Sequence, residues 1–240
     1  MIDWHCHILP ALDDGPETLN ESLEMARILA FAGFRQVCCT PHCLLGRYDT
    51  RPSQVSQAVA MLQGALQRAD IPLTLIPGME YALDEYFPVL LDDPRCLGDS
   101  RLLLVEAPRK TPKTLIQENI RRILQRGLIP LLAHPERSPC LYHRSSLWGD
   151  LAGLFQKARH DWEDEATAKS FSFVQELKNM GCLFQGNLPS FAGRYGLRIE
   201  RRTQLFLERG LYRCFGSDGH RAETLKADLA ASLPGLRKHL

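Results

Sequence analysis

Short apolar runs alternate along this chain with longer stretches of helical period. The run "MIDWHCHI" reads as a strand. In residues 18–33, Leu19, Leu23, Ala26 and Ala30 share one face and Gly33 supplies a stop, which predicts a helix. "FRQVCCTPH" predicts a second strand. Residues 53–69 predict a second helix, with Val55, Val59, Leu62 and Leu66 on its buried side. "LTLIPGMEY" and "RLLLVEAPR" predict the third and fourth strands. Thr111 is expected to cap the next helix, with Pro112 first in it, Ile116, Ile120, Ile123 and Leu124 as its stripe, and Gly127 as its end. "LIPLLAHPER", "CLFQGNL" and "YRCFGSDGH" complete seven strands, with helices between and after them. Such alternation implies parallel pairing and one barrel-like α/β domain over residues 1–240. Residues 149–173, which hold the mixed-charge run "KARHDWEDEA", are the least regular and read as a solvated helical insertion.

The polar residues interrupt this pattern at particular places. Each predicted strand stays apolar until its C-terminal end, and six of the seven then release a residue able to bind metal. Strand one ends at His5 and His7, with Asp14 just beyond. The others end at His42, Glu80, Glu106 and His134, and the last at Asp218 and His220. In a barrel of parallel strands these ends open on one face, where active sites sit. Nine candidate ligands therefore meet on one rim. Each alone has a plainer reading: a lone histidine is commonly a hydrogen-bonded core residue, and Asp13 or Asp14 can cap the following helix. Together they point to a site. In H-x-H on a strand both side chains point the same way, so His5 and His7 can chelate one ion. Imidazole and carboxylate without thiolate suit manganese, iron or zinc. Nine ligands with a bridging carboxylate serve two or three ions. Cys6 points away by the same alternation, and Cys43 beside His42 reads as a buried thiol. His143, His160 and His239 fit no strand end and read as structural.

Composition narrows the alternatives. The chain has 240 residues, 45% of them hydrophobic and 24% charged, with a net charge of +1. That is ordinary for a globular protein and gives no electrostatic case for a nucleic-acid partner or membrane insertion. The start lacks a basic region leading into an apolar stretch, so no signal peptide is expected and the protein reads as cytoplasmic. Eight cysteines are scattered without a C-x-x-C pair, which suits reduced, buried thiols. No C-x5-R, G-x-x-x-x-G-K or H-E-x-x-H occurs. A cysteine-dependent phosphatase and a P-loop are therefore excluded.

The motifs "MIDWHCHILPALDDG", "ESLEMARILAFAG", "CTPHCLLGRY", "PGMEY", "LLVEAP", "IPLLAHPER", "SFAGRYG" and "SDGH" run in order through almost the whole chain. With them the sequence resembles the polymerase-and-histidinol-phosphatase (PHP) superfamily. More closely it resembles the manganese-dependent protein-tyrosine phosphatases of bacterial capsule and exopolysaccharide loci. The resemblance implies a distorted seven-stranded, TIM-like barrel with a trinuclear site. His5, His7, Glu80 and Asp218 would hold the first ion. Glu80 would bridge to a second, completed by Glu106 and His134. Asp14, His42 and His220 would hold the third. Arg137 matches an arginine that family members place on the substrate phosphate. A further family arginine, beyond the final D-x-H, has Leu225 near its position here, with Arg221 the closest candidate. "GNLPSFAGRYG" keeps a family loop but leads in through Leu188 and Pro189.

The expected reaction is hydrolysis of a phosphate monoester by metal-activated hydroxide, without a covalent intermediate. Arg137 could fork onto two phosphoryl oxygens. For phosphotyrosine the leaving phenol has a pKa of about 10, which lessens the need for a general acid. Arg47, Arg194 and Arg221 are candidate substrate contacts, and Tyr48, Arg109 and Tyr195 share the same rim loops. The implied partner is a phosphotyrosine protein, such as a bacterial tyrosine kinase regulating capsule synthesis. The alternatives are a small-molecule phosphatase acting on histidinol phosphate, a metal-dependent amidohydrolase, and a non-enzymatic metal-loaded regulatory domain. An amidohydrolase needs a lysine at a middle strand end, where Glu106 stands.

Overall fold

The structure, a computed structural model, describes residues 1–142, 171–236 and 239. The expected insertion at 149–173 thus lies outside the described residues except for its last three, and His143 and His160 lie outside them as well.

Among the described residues nine strand segments form two sheets, and every ladder between them is parallel. β1 (Ile2–Cys6), β2 (Gln36–Cys39) and β4 (Thr74–Pro77) make the smaller sheet in the order β1-β2-β4. The larger runs β3 (His42–Cys43), β5 (Glu80–Ala82), β6 (Leu102–Glu106), β7 (Ile129–Ala133), β8 (Leu183–Asn187) and β9 (Tyr212–Gly216). Two of the strands expected from the sequence are therefore broken. "FRQVCCTPH" divides at Thr40–Pro41, where proline offers no N–H to a ladder. "LTLIPGMEY" divides at Gly78–Met79.

Main-chain bonds run across both breaks. Gly78 N–H donates to Cys39 O and Glu80 N–H to Pro41 O, each at 3.0 Å. At the other edge Asp218 N–H donates to His5 O at 2.7 Å, and His7 N–H to Gly219 O at 3.0 Å.

Helices follow most strands: α1 (Leu19–Ala32), α2 (Pro52–Arg68), α3 (Phe87–Leu90), α4 (Lys113–Gln125), α5 (Leu188–Phe191), α6 (Leu197–Glu208) and α7 (Ala222–Leu236). Thr18 caps α1, its hydroxyl accepting from Glu21 N–H, and Gly33 ends it at φ 101°. A left-handed C-cap of that kind favours glycine. Neither Asp13 nor Asp14 serves as that cap. The α1 face is turned from the expected one, burying Ser22, Met25, Ala26 and Leu29, while Leu19, Leu23 and Ala30 are only partly buried. α2 buries Val55, Val59, Leu62 and Leu66 as the period predicts. α4 starts one residue later than expected. Pro112, extended at ψ 142°, is the capping residue, and no side chain caps the helix.

The strands separate two apolar regions. Leu103, Val105 and Leu132 belong to the main core, whereas Leu104, Leu131 and Ala133 join Cys38, Leu97 and Cys214 in a second cluster. Strand alternation puts Glu106 on the same face as Leu104, so the second cluster underlies the site. Among the described residues no helix is long and apolar enough to cross a membrane.

Candidate metal centre

His5 and His7 bring their Nε2 atoms within 3.0 Å of each other, and both rings are fully buried. Their outer nitrogens are committed elsewhere. His5 Nδ1 donates to Gln185 Oε1 at 3.0 Å. That amide is oriented by its NH2, which donates to Gly186 O, and by His134 N–H, which donates to the same Oε1. His7 Nδ1 donates to Asp13 Oδ2 at 2.6 Å. With each Nδ1 engaged in this way, the two Nε2 atoms are left facing each other.

Two carboxylates close this arrangement. Glu80 Oε2 lies 3.3 Å from His5 Nε2 and 3.4 Å from His7 Nε2. Asp218 Oδ1 lies 3.5 and 3.4 Å from the same atoms. Around this centre His42 Nδ1 stands 2.9 Å from Glu80 Oε2, and His134 Nε2 is 3.0 Å from Glu80 Oε1. Asp14 Oδ1 lies 3.3 Å from His220 Nε2 and 3.6 Å from His42 Nε2. Glu106 Oε1 is 3.9 Å from His42 Nδ1.

All nine strand-end residues are thus brought together, in four overlapping sets whose ligand atoms lie within 4.8 Å of one another. The sets are His5, His7 and Glu80; His5, His134 and Asp218; His42, Glu80 and Glu106; and His7, Asp14, His42 and His220. They overlap the sets implied by the resemblance without repeating them. His134 groups with His5 and Asp218 rather than with Glu106, and His7 also reaches the third group. No cysteine joins any set. Cys6 Sγ donates to Gly219 O and Cys43 Sγ to Thr50 O.

The donor chemistry fits divalent cations. Four atoms able to bind a cation converge at His5 Nε2, His7 Nε2, Glu80 Oε2 and Asp218 Oδ1, and Glu80 Oε2 is buried without a hydrogen-bond partner. Leaving such an atom unpaired is costly. Two imidazole nitrogens and two carboxylate oxygens are the donor set that a divalent ion takes. The Glu106 carboxyl is short of positive charge. Burial and the charge of Glu80 push the Glu106 carboxyl up to about 7. Burial would raise Glu80 as well, but the surrounding imidazoles, His5 foremost and then His42, hold it well below the usual range.

Backbone geometry holds the ligands tightly. His134 and Asp218 both have positive φ, at 33° and 49°. Such strain in residues other than glycine clusters at functional sites. A Cβ at Gly216 would lie 2.5 Å from His5 Cβ, and one at Gly15 would lie 2.3 Å from His7 O.

The candidate substrate arginines separate. Arg137 pairs with Asp218 Oδ2 and lies 4.2 Å over the Tyr195 ring. Its side chain is 30% exposed, so it can reach a ligand from solvent. Its neighbour Glu136 is not its partner, binding Asn187 and Tyr212 instead. Arg47 sits 5.0 Å over Tyr48, whose ring stacks on His42. Arg194 is engaged by Asp228, and Arg221 by Glu17 and Glu21. Arg109 and His239 are exposed. Leu225, near the position of the missing family arginine, is core.

Three residues of the site escaped sequence reasoning: Asp13, Gln185 and Asn187. Asn187 Nδ2 donates to Asp218 Oδ2 at 3.1 Å. The "DDG" and "QGN" motifs held the only signal, polar side chains next to glycine at a strand end.

Comparison with known proteins agrees with this geometry. Tyrosine-protein phosphatase YwqE of Bacillus subtilis is 30% identical over 228 residues, covering 93% of this chain and 79% of that protein. Tyrosine-protein phosphatase CpsB of Streptococcus pneumoniae is 26% identical over 231 residues, covering 93% and 84%. A crystal structure from work on those two proteins, described as unique metal-dependent tyrosine phosphatases, superposes with a TM-score of 0.79 at 28% identity. It covers 100% of this chain and 87% of that one. Histidinol phosphate phosphatase of Lactococcus lactis, in complex with zinc, L-histidinol and phosphate, shares the fold at a TM-score of 0.56 and 12% identity, covering 99% and 92%. The family model for capsular polysaccharide synthesis proteins CpsB/CapC matches residues 1–154 and 164–240. This chain therefore belongs to the CpsB/CapC family of capsular polysaccharide synthesis proteins.

Proposed function

We propose that this protein is a metal-dependent protein-tyrosine phosphatase. The observation that carries the reading is the pair of histidine Nε2 atoms, 3.0 Å apart, facing two carboxylates at the strand-end rim. His5, His7, Asp14, His42, Glu80, Glu106, His134, Asp218 and His220 would hold two to three divalent ions, manganese first, with iron or zinc as alternatives. When bound, such ions offset the charge of a phosphate monoester and activate water for attack. The chain's own contribution is to orient and to bind. Asp13 and Gln185 fix the tautomers of His7 and His5. Glu80 and Asp218 would supply the negative charge to hold such cations. Arg137 carries a planar fork able to grip two phosphoryl oxygens. Arg47 and Tyr48, above His42, and Tyr195, beneath Arg137, supply aromatic and cationic surface for an aryl ring on an acidic peptide.

The domain is taken as one unit over residues 1–240, and as a distorted seven-stranded barrel if β2 with β3 and β4 with β5 each count as one bent strand. The natural substrate is a phosphotyrosine protein, a bacterial tyrosine kinase of capsule synthesis, met in the cytoplasm.

Chelation tests the reading. Exhaustive metal removal should abolish hydrolysis of an aryl phosphate, and manganese should restore it. Full activity of a protein verified as metal-free would refute it. Alanine at His7 or asparagine at Asp218 should each lower turnover by about a thousandfold or more, since residues acting as one unit are not additive.

A further inference from the structure

Beside Arg137 lies a carboxyl that the phosphatase reading leaves without a task. Glu136 is fully buried. Its Oε1 accepts from Asn187 N–H at 3.2 Å, and its Oε2 accepts from the Tyr212 hydroxyl at 3.1 Å. It therefore ties the short 3-10 turn Pro135–Arg137 to the end of β8 and the start of β9. The Tyr142 hydroxyl adds a second tie, donating to Pro135 O at 3.0 Å.

This turn needs holding. It is entered through His134 at φ 33° and ψ 53°, a left-handed conformation that only glycine adopts freely. Such conformations persist where the surroundings over-determine them. A buried carboxyl is an expensive way to fill space, because an apolar side chain of similar size commonly serves stability as well or better. What the carboxyl adds is geometry. The backbone it pins, at its own turn and at Asn187, carries two side chains that converge on one atom, since Asn187 Nδ2 and Arg137 each contact Asp218 Oδ2.

We propose that Glu136 is a positioning residue, a buried clamp that sets Arg137, and through Asn187 the Asp218 carboxylate, for the phosphoryl group. The proposal rests on the phosphatase reading. It predicts that Glu136 acts through Arg137 rather than through overall stability.

The test is a double-mutant cycle on the manganese-loaded protein. Glu136→Ala, Glu136→Gln and Tyr212→Phe are made alone and with Arg137→Ala. For each, kcat/KM on p-nitrophenyl phosphate, the thermal midpoint and the Kd for inorganic phosphate are measured. Glu136→Ala should lose about 10- to 100-fold in kcat/KM, the range for residues that orient a site from behind, and should bind phosphate more weakly. Glu136→Gln should retain most of the turnover, because its amide can accept from Asn187 N–H and donate to Tyr212 Oη. With Arg137 already alanine, Glu136→Ala should cost less than about threefold more, as coupled residues do.

Equal losses in both backgrounds would overturn the proposal, as would unchanged kcat/KM in Glu136→Ala or a glutamine variant as impaired as alanine. If Glu136→Ala does not fold, Tyr212→Phe removes one clamp bond and keeps the ring. It should show a smaller loss with the same dependence on Arg137, and a loss independent of Arg137 would overturn the proposal too. A wild-type protein inactive on aryl phosphates defeats the functional reading instead. Phosphate binding then still reads whether Glu136 and Arg137 are coupled.

Discussion

His7 donates through Nδ1 to Asp13 Oδ2 at 2.6 Å, while the same carboxylate accepts His42 N–H at 2.9 Å and its other oxygen accepts Gly15 N–H at 2.9 Å. One buried side chain thus sets the ring of one candidate ligand and the backbone of another. Replacing it leaves His7 free to change tautomer or rotate. We predict that Asp13→Ala lowers manganese affinity and turnover by about 10- to 100-fold. Asp13→Asn should fall between, since its amide can still accept from Nδ1. The check is metal content after dialysis together with kcat/KM, and an Asp13→Ala protein with full metal and full turnover would return Asp13 to a purely structural role.

A steric prediction concerns Gly216. A methyl there would come within 2.5 Å of His5 Cβ and 2.8 Å of His5 N, and the second contact is backbone, which cannot swing aside. Gly216→Ala should cost about 1–3 kcal/mol of stability through overpacking, and should displace His5 from the cluster. Denaturant unfolding measures the first effect and metal titration the second. Gly46, whose added Cβ would meet nothing within 4 Å, is the control: any loss at Gly46→Ala comes from its φ of 81° alone.

The nine rim residues were legible in the sequence because two regularities coincide. Strand period sets His5 and His7 on one face, and parallel pairing aligns the strand ends, so local pattern implied a shared rim. Asp13 was not legible, because an aspartate ahead of a helix looks like a cap, and only the structure shows Thr18 doing that work. Gln185 was hidden inside an otherwise apolar strand, its partner 180 residues away. The strand breaks at Pro41 and Gly78 follow from single residues within runs whose overall pattern remains that of one strand. Arg194 and Arg221 read as rim cations, yet Asp228, Glu17 and Glu21 engage them. Side-chain pairing of that kind is decided by tertiary packing, beyond the reach of local pattern.

Arg137 offers a sharper substitution. Lysine keeps the charge but loses the planar fork, and it cannot span two oxygens of one phosphoryl group. We predict that Arg137→Lys folds and retains metal while kcat/KM on an aryl phosphate falls by roughly 10- to 100-fold, the equivalent of one charge-assisted hydrogen bond of about 1.5–3 kcal/mol. Retained metal is the discriminating readout, because Arg137 also pairs with Asp218. If metal is lost together with activity, the arginine's main task is to hold that carboxylate. An unchanged kcat/KM would remove it from substrate binding altogether.

Selectivity is the last expectation. Metal ions recognise the phosphoryl group that all phosphomonoesters share, so preference for tyrosine must arise from depth and from the leaving group. The innermost candidate ligands are sunk, with His5, His7 and Glu80 fully buried, and the rings of Tyr48, stacked on His42, and Tyr195, against Arg137, stand near them. A long phenol can span that rim where a serine side chain falls short, and its pKa of about 10 eases departure relative to an alkoxide. We therefore predict that phosphotyrosine peptides are hydrolysed well ahead of phosphoserine peptides, phosphothreonine peptides and histidinol phosphate, by at least about a hundredfold in kcat/KM, the scale of discrimination one well-matched pocket supplies. Alanine at Tyr48 should narrow that gap by raising KM for the tyrosine peptide while leaving phosphoserine rates unchanged. Side-by-side kinetics on the four substrates decide the matter: a preference for histidinol phosphate would assign this rim to a small metabolite and leave the metal cluster as argued.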